Sequence, residues 1–341
     1  MSARALYVAE KNMVVEDPKQ SLGDYVKDHV PEKDVLDIVG KIISIDTMNE
    51  TVLEINEDGT LKGSAGNPTE VALLTFIHDL GFNYEEIRNS TRGRSSVGEH
   101  AEYLGDGKLY GFSSGRKMMS WAVTNEDGSY RIYTKGAQEV ILSRCSKYIA
   151  EGGTVEELKS DDVDDFMNHS QVYARRGMRT LAIAYGELPA GTDLEAIAQN
   201  IKNADGSDAF QVETDLVVVG LVGIEDPLRH EVPEAIEKCY GAGIDVRMVT
   251  GDNPNTAASI SYQAGILRDF HFKDGTTERV ASNLKENILM TGVVFRSRVF
   301  RPTVNEDGSA GKPEFDQAAF DKIWPFLRVL ARSSPDGKVL K

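Results

Sequence analysis

Residues 244–252 read Ile-Asp-Val-Arg-Met-Val-Thr-Gly-Asp, a short apolar run that stops abruptly at Thr250-Gly251-Asp252. Asn253-Pro254-Asn255-Thr256-Ala257-Ala258 follows and reads as a helix start, since Asp252 or Asn253 can cap it and Pro254 suits the first turn. A strand that ends in a hydroxyl, a glycine and a carboxylate and then feeds a helix is a common way to build a phosphate site. The glycine lets a ligand approach the backbone, and the helix N-terminus presents N–H groups and positive potential.

Just upstream, residues 215–224 form a continuous Val/Leu stretch of the kind buried on both faces of a sheet. Residues 231–241 read as a helix with proline near its start and glycine at its end. Strand, helix, strand and helix at this spacing predict a parallel sheet, in which ligands sit beyond the carboxyl ends of the strands. Asp226 and Asp252 stand at such ends and are expected to face one crevice.

Before about residue 213 the pattern changes. Apolar stretches at 108–113 and 117–124 are followed by the turn Asn125-Glu126-Asp127-Gly128 and a return at Tyr130–Thr134, which predicts an antiparallel hairpin. Helical segments are expected at 69–80, 137–147 and 164–177, with the acidic run of residues 156–165 as a solvated loop and helix start. The fold class is therefore α/β: an α+β domain with an antiparallel sheet and flanking helices, followed by a parallel-sheet domain.

The 341 residues are enough for two domains with full cores. The balance of 54 acidic to 38 basic residues gives a net charge of −16, which argues against non-specific binding to nucleic acid or anionic membranes. Cys145 and Cys239 lie far apart and form no metal-type pair, so idle thiols in a reducing compartment are expected. No apolar run approaches the ~20 residues of a membrane helix.

Several constellations occur in order: Gly66-Asn67-Pro68-Thr69-Glu70, Phe112-Ser113-Ser114-Gly115-Arg116-Lys117, Lys135-Gly136-Ala137, Gly177-Met178-Arg179-Thr180, Gly223-Ile224-Glu225-Asp226-Pro227-Leu228-Arg229, Met248-Val249-Thr250-Gly251-Asp252 and Ala331-Arg332-Ser333-Ser334-Pro335-Asp336-Gly337-Lys338. Together, from about residue 60 to the end, they resemble the cytoplasmic nucleotide-binding and phosphorylation domains of P-type cation-transporting ATPases. The wording around 222–229, 246–252 and 324–335 is most similar to the plasma-membrane-type calcium pumps. The resemblance implies a haloacid-dehalogenase-like parallel-sheet domain. It also implies ATP and Mg²⁺ as cofactors, and coupling of ATP hydrolysis to Ca²⁺ export at the cytosolic face of a plasma membrane or vacuole-type organelle.

The resemblance also assigns roles. Phe112 would stack on adenine and Glu70 would accept from its amino group, although alone they read as a core phenylalanine and a first-turn helix glutamate. Lys117 and Lys135, with Gly136 behind the second, would face the nucleotide and its phosphates, and Arg179 would clamp the β-phosphate region with its planar fork. Thr250 and Gly251 would hold the transferred phosphoryl group. Asp226 and Asp252 would organise the ribose–phosphate region around Mg²⁺, and Lys338 would neutralise developing charge. No residue is itself read as a metal ligand. For Asp252 a simple helix cap is the plainer reading.

The family's Asp-Lys-Thr-Gly-Thr is missing. Asp58-Gly59-Thr60, Gly105-Asp106-Gly107 and Asp274-Gly275-Thr276 read as turns, and Ile45-Asp46-Thr47 as structural. Truncation at both ends is the simplest expectation, with residues 1–13 a linker remnant, 14–213 a nucleotide-binding domain and 214–341 a partial phosphorylation domain. The partners would be ATP and the missing transmembrane and actuator parts of the pump. Calmodulin control of the parent is compatible with the resemblance but is not written in these residues. Two other classes stay open. A soluble haloacid-dehalogenase-like phosphohydrolase explains Asp226, Thr250 and Lys338 but leaves Phe112 and Lys135 unexplained. A non-catalytic nucleotide-binding module is the other. A dinucleotide-dependent dehydrogenase fares worst, because no Gly-x-Gly-x-x-Gly follows a strand.

Overall fold

The computed structural model describes the chain except residues 18, 30–31, 93–107, 114, 195, 197–199, 203–207, 268–270, 273–278, 281–287, 304–308, 310 and 334–341. The chain divides into two compact units, one formed by Met1–Ser170 with Thr180–Glu225 and the other by Gln171–Arg179 with Asp226–Lys341.

The first unit is built on a nine-stranded sheet of β1 (Ser2–Val8), β2 (Lys11–Val14), β3 (Lys108–Tyr110), β4 (Met118–Thr124), β5 (Tyr130–Ala137), β6 (Cys145–Ile149), β7 (Val155–Glu157), β8 (Arg179–Leu188) and β9 (Leu216–Glu225). The order is β2-β1-β9-β8-β5-β4-β3, and β6 pairs with both β9 and β7. Within the first unit, helices α1 (Leu22–His29), α2 (Lys33–Ile45), α3 (Pro68–Asp79) and α4 (Tyr84–Arg92) supply one side of the core. In α2 the buried Val35, Val39, Ile42 and Ile43 fall on one helical stripe, which is what docks it. Side chains alternate along β1: Leu6 and Val8 join that core, while Tyr7 turns the other way and meets Phe166 of α6 (Ser160–Arg175) edge-on at 5.1 Å. Helices therefore cover both faces.

The hairpin read from Asn125-Glu126-Asp127-Gly128 forms as expected, with Thr124 opposite Tyr130 and Gly128 donating to the Asn125 carbonyl at 3.0 Å. The expected helix 137–147 is only α5 (Gln138–Leu142), because Cys145–Ile149 is drawn into the sheet as β6.

Two expectations are overturned. The stretch 215–224 is not the first strand of the parallel sheet. As β9 it runs antiparallel to β1 in the large sheet, from Ser2 opposite Glu225 to Val8 opposite Gly220. A continuous apolar strand signals burial on both faces and says nothing about the direction of its neighbours. Residues 1–13 are likewise not a linker, since β1 and β2 are part of that sheet. The division thus falls at Glu225/Asp226 rather than after 213, and residues 171–179 go with the second unit.

The second unit has a three-stranded parallel sheet of β10 (Met248–Val249), β11 (Leu289–Thr291) and β12 (Val329–Ala331), in the order β10-β12-β11. It carries helices α7 (Val232–Gly241), α8 (Pro254–Gln263), α9 (Gly292–Val299) and α10 (Gln317–Ile323). The run 244–252 contributes only the two residues of β10, which among the described residues pairs with β12 alone. Among the described residues no helix is long and apolar enough to cross a membrane.

Candidate functional site

In the first unit the sequence-picked residues gather around β4 and β5. Lys135, in the middle of β5, sends its buried ammonium to Glu70 Oε1 at 3.0 Å and also to the Asp46 carbonyl, with Asp46 Oδ2 at 3.8 Å. Glu70 sits in the first turn of α3, which Asn67 caps by accepting from the Thr69 and Glu70 amides. Its carboxylate accepts from Thr51 Oγ1 at 2.7 Å and from the Met48 amide at 3.2–3.3 Å as well. Burial opposes ionisation of Glu70. The Lys135 charge, with the hydrogen bonds from Thr51, Lys135 and Met48, outweighs it and holds the carboxyl below its ordinary range. Three donors already share this carboxylate, which leaves about one acceptor position for an outside amino group.

Gly136 follows. A Cβ there would lie 2.6 Å from Met118 Cβ and 2.7 Å from the Lys117 carbonyl, so the close approach of β4 and β5 requires glycine. Lys117 holds a left-handed φ of 55°, and its carbonyl accepts from the Ala137 amide at 2.9 Å. Its partly exposed ammonium lies 3.8 Å from Glu139. Phe112, on the loop between β3 and β4, is 64% exposed. A core phenylalanine is thereby ruled out, and a large aromatic face is left to solvent. Ser114 lies outside the described residues.

The second unit brings its own set together. Arg179 places Nε 3.2 Å from Asp252 Oδ1 and Nη2 3.6 Å from Asp226 Oδ2, so both aspartates share one guanidinium. Thr250 donates its hydroxyl to Asp252 Oδ2 at 2.9 Å and accepts from the Asp252 amide at 3.1 Å. The cap of α8 is Asn253, whose Oδ1 accepts from the Asn255 and Thr256 amides at 3.0 Å. The plainer reading of Asp252 as a cap is thereby replaced, and its side chain is given to Arg179 and Thr250. Gly251 is exposed, and a Cβ there would meet nothing within 4 Å. Arg332 and Ser333 donate their amides to the Asp252 and Thr250 carbonyls at 2.9 and 3.0 Å, which ties this turn to the end of β12. Lys338 lies outside the described residues, as do Gly105-Asp106-Gly107 and Asp274-Gly275-Thr276.

Asp46, the residue a phosphohydrolase would need as nucleophile, is fully buried at the C-terminal end of α2 and not at the mouth of a strand. Among the described residues no group of three or more His, Cys, Asp or Glu could hold a metal ion. Cys145 and Cys239 are free thiols. Sequence reasoning read Asp46 as structural without tying it to Lys135, and it missed Thr51 and Met48 beside that lysine and the pairing of Arg116 with Glu213 beneath the Phe112 loop. The one available signal was a charged residue inside an otherwise buried stretch.

Residues 42–231 match the family model described as P-type ATPase, cytoplasmic domain N. The mouse plasma membrane calcium-transporting ATPase 1 is 39% identical over 288 residues, covering 84% of this chain and 20% of that protein. Human plasma membrane calcium-transporting ATPase 3 is 36% identical over 306 residues, covering 89% of this chain and 22% of that protein. The chain thus spans about a fifth of the length of the relatives it matches. With the model covering more than half of its residues, the chain belongs to the P-type ATPase family and contains its cytoplasmic domain N.

Proposed function

We propose that this chain is the ATP-binding cytoplasmic region of a calcium-transporting P-type ATPase. In that reading the whole protein moves Ca²⁺ across a membrane, and the γ-phosphoryl group passes to an aspartate outside these residues. This region lies at the cytosolic face, with the remainder of the pump as its partner. The observation that carries the reading is the Phe112 ring, 64% exposed on the same loop that delivers Lys117. An aromatic face and a cation on one loop suit a base and its phosphates.

Unit by unit, the residues take distinct tasks. In the first unit Phe112 stacks on the base, Lys117 meets phosphate as a point charge, and the buried Lys135–Glu70 pair fixes β5 against the start of α3. In the second, the Gly251 amide on an exposed turn meets a phosphoryl oxygen, the Thr250 hydroxyl being turned to Asp252 Oδ2 in this structure, and Arg179 offers a planar fork that Asp226 and Asp252 orient. Mg²⁺ supplies charge neutralisation when it accompanies the triphosphate. With Asp226 and Asp252 turned to Arg179 and no metal-type cluster among the described residues, no residue here is assigned as its ligand.

Titration of ATP into the chain, followed by amide chemical shifts, tests this. Phe112→Ala should weaken binding by about tenfold, the scale of one lost stacking contact. Unchanged affinity in both Phe112→Ala and Lys117→Ala overturns the assignment.

A further inference from the structure

The loop that carries Phe112 is fastened from below by a buried ion pair. Arg116 is buried, and its Nη1 donates to the Gly111 carbonyl at 2.5 Å while Nη2 donates to Glu213 Oε1. Glu213 is fully buried in the short 3₁₀ turn Gln211–Glu213, just before β9. Its Oε1 also accepts from Ser120 Oγ at 2.6 Å, and its backbone carbonyl accepts from Arg144 Nη1 at 3.2 Å. Ser120 in turn lies 2.7 Å from Thr134 Oγ1, so the network reaches both β4 and β5.

We propose that Arg116 and Glu213 are positioning residues for nucleotide binding, and that they act through Phe112. This rests on the reading of Phe112 as the base-stacking residue. A buried ion pair is a poor source of net stability, because desolvation offsets most of its attraction. What it does supply here is a fixed loop conformation. Only arginine has the planar fork to grip the Gly111 carbonyl and Glu213 at once. The Gly111 carbonyl is one peptide from Phe112, so this grip sets the base of the exposed ring. On the far side of the ring the chain is closed by Lys117, whose amide donates to the Ser113 carbonyl at 2.7 Å. The aromatic side chain thus stands exposed on a backbone held at both ends. A ring presented in one orientation loses less freedom on stacking than a ring on a free loop, and that difference appears as affinity.

The experiment is a double-mutant cycle on the whole chain, with ATP as the probe and calorimetry as the readout. Arg116→Lys keeps a charge beside Glu213 but gives up the fork. It should weaken ATP by about fivefold in the wild-type background and change it little in the Phe112→Ala background. Equal weakening in both backgrounds, or none in the wild-type background, overturns the proposal. An effect of Phe112→Ala without one of Arg116→Lys overturns this inference alone, as does an inert Phe112→Ala where Lys117→Ala still weakens ATP, whereas inert Phe112→Ala and Lys117→Ala together overturn the nucleotide reading beneath it. If Arg116→Lys does not fold, the apolar pair Arg116→Met with Glu213→Met enters the same cycle with the same expected and overturning results.

Discussion

Lys135 Nζ lies 3.0 Å from Glu70 Oε1, and both side chains are buried, with Asp46 close by on the same ammonium. One cation thus serves two carboxylates drawn from the end of α2 and the start of α3. The arrangement joins a central strand of the sheet to two of the helices that cover it. Removing the cation should cost more than removing either carboxylate.

Lys135→Met leaves Glu70 and Asp46 buried without their shared cation. It should destabilise the first unit by about 3–5 kcal/mol, against a smaller loss for Glu70→Gln, which keeps Asp46 beside the ammonium. Urea unfolding followed by circular dichroism measures both, and equal losses would contradict the geometry.

Acid should find the same pair. A carboxyl held below its unfolded value, near 4.5 for glutamate, contributes stability that is present above that pH. The contribution is lost as pH falls through the lower folded value. Asp79 works the other way, because burial raises its carboxyl. The useful quantity is therefore the difference between wild type and Glu70→Gln. The urea midpoint of the wild type should fall more steeply below pH 4.5 than that of the variant, and parallel curves would remove Glu70 from the account.

Gly136→Ala should force β4 and β5 apart, since its Cβ would sit 2.6 Å from Met118 Cβ and 2.7 Å from the Lys117 carbonyl. A loss of about 2 kcal/mol or more is expected from such overpacking. The melting temperature reads it, and a variant as stable as wild type would show that the strands can yield.

In the second unit, Asn253→Ala should cost about 1 kcal/mol through loss of the α8 cap. Asp252→Asn should leave the cap intact and instead weaken the hold on Arg179. Amide exchange at the Asn255 and Thr256 N–H groups separates the two, because only the first substitution should accelerate it.

The residues that wrote themselves plainly into the sequence were local. Asn125-Glu126-Asp127-Gly128 between apolar runs fixed a hairpin, and Asn67-Pro68 and Asn253-Pro254 marked helix starts, because caps and turns are decided by neighbours in sequence. Leu216–Glu225 was legible as a buried strand but not as the partner of β1, since pairing direction depends on a segment more than 200 residues away. The candidate site divides the same way. Phe112, Lys117 and Lys135 stood out in motifs. Asp46, Thr51 and Glu213 become visible only when remote segments meet, and no periodicity records that meeting.

The antiparallel register of β1 and β9 also sets a timetable for synthesis. Ser2 pairs with Glu225, so during translation β1 finds this neighbour only after some two hundred further residues have been made. Until then β1 has β2 on one side and a bare edge on the other. A domain whose early and late segments must meet closes slowly and exposes pairing surface while it waits. Nascent chains halted before residue 216 should therefore be the ones that chaperones hold.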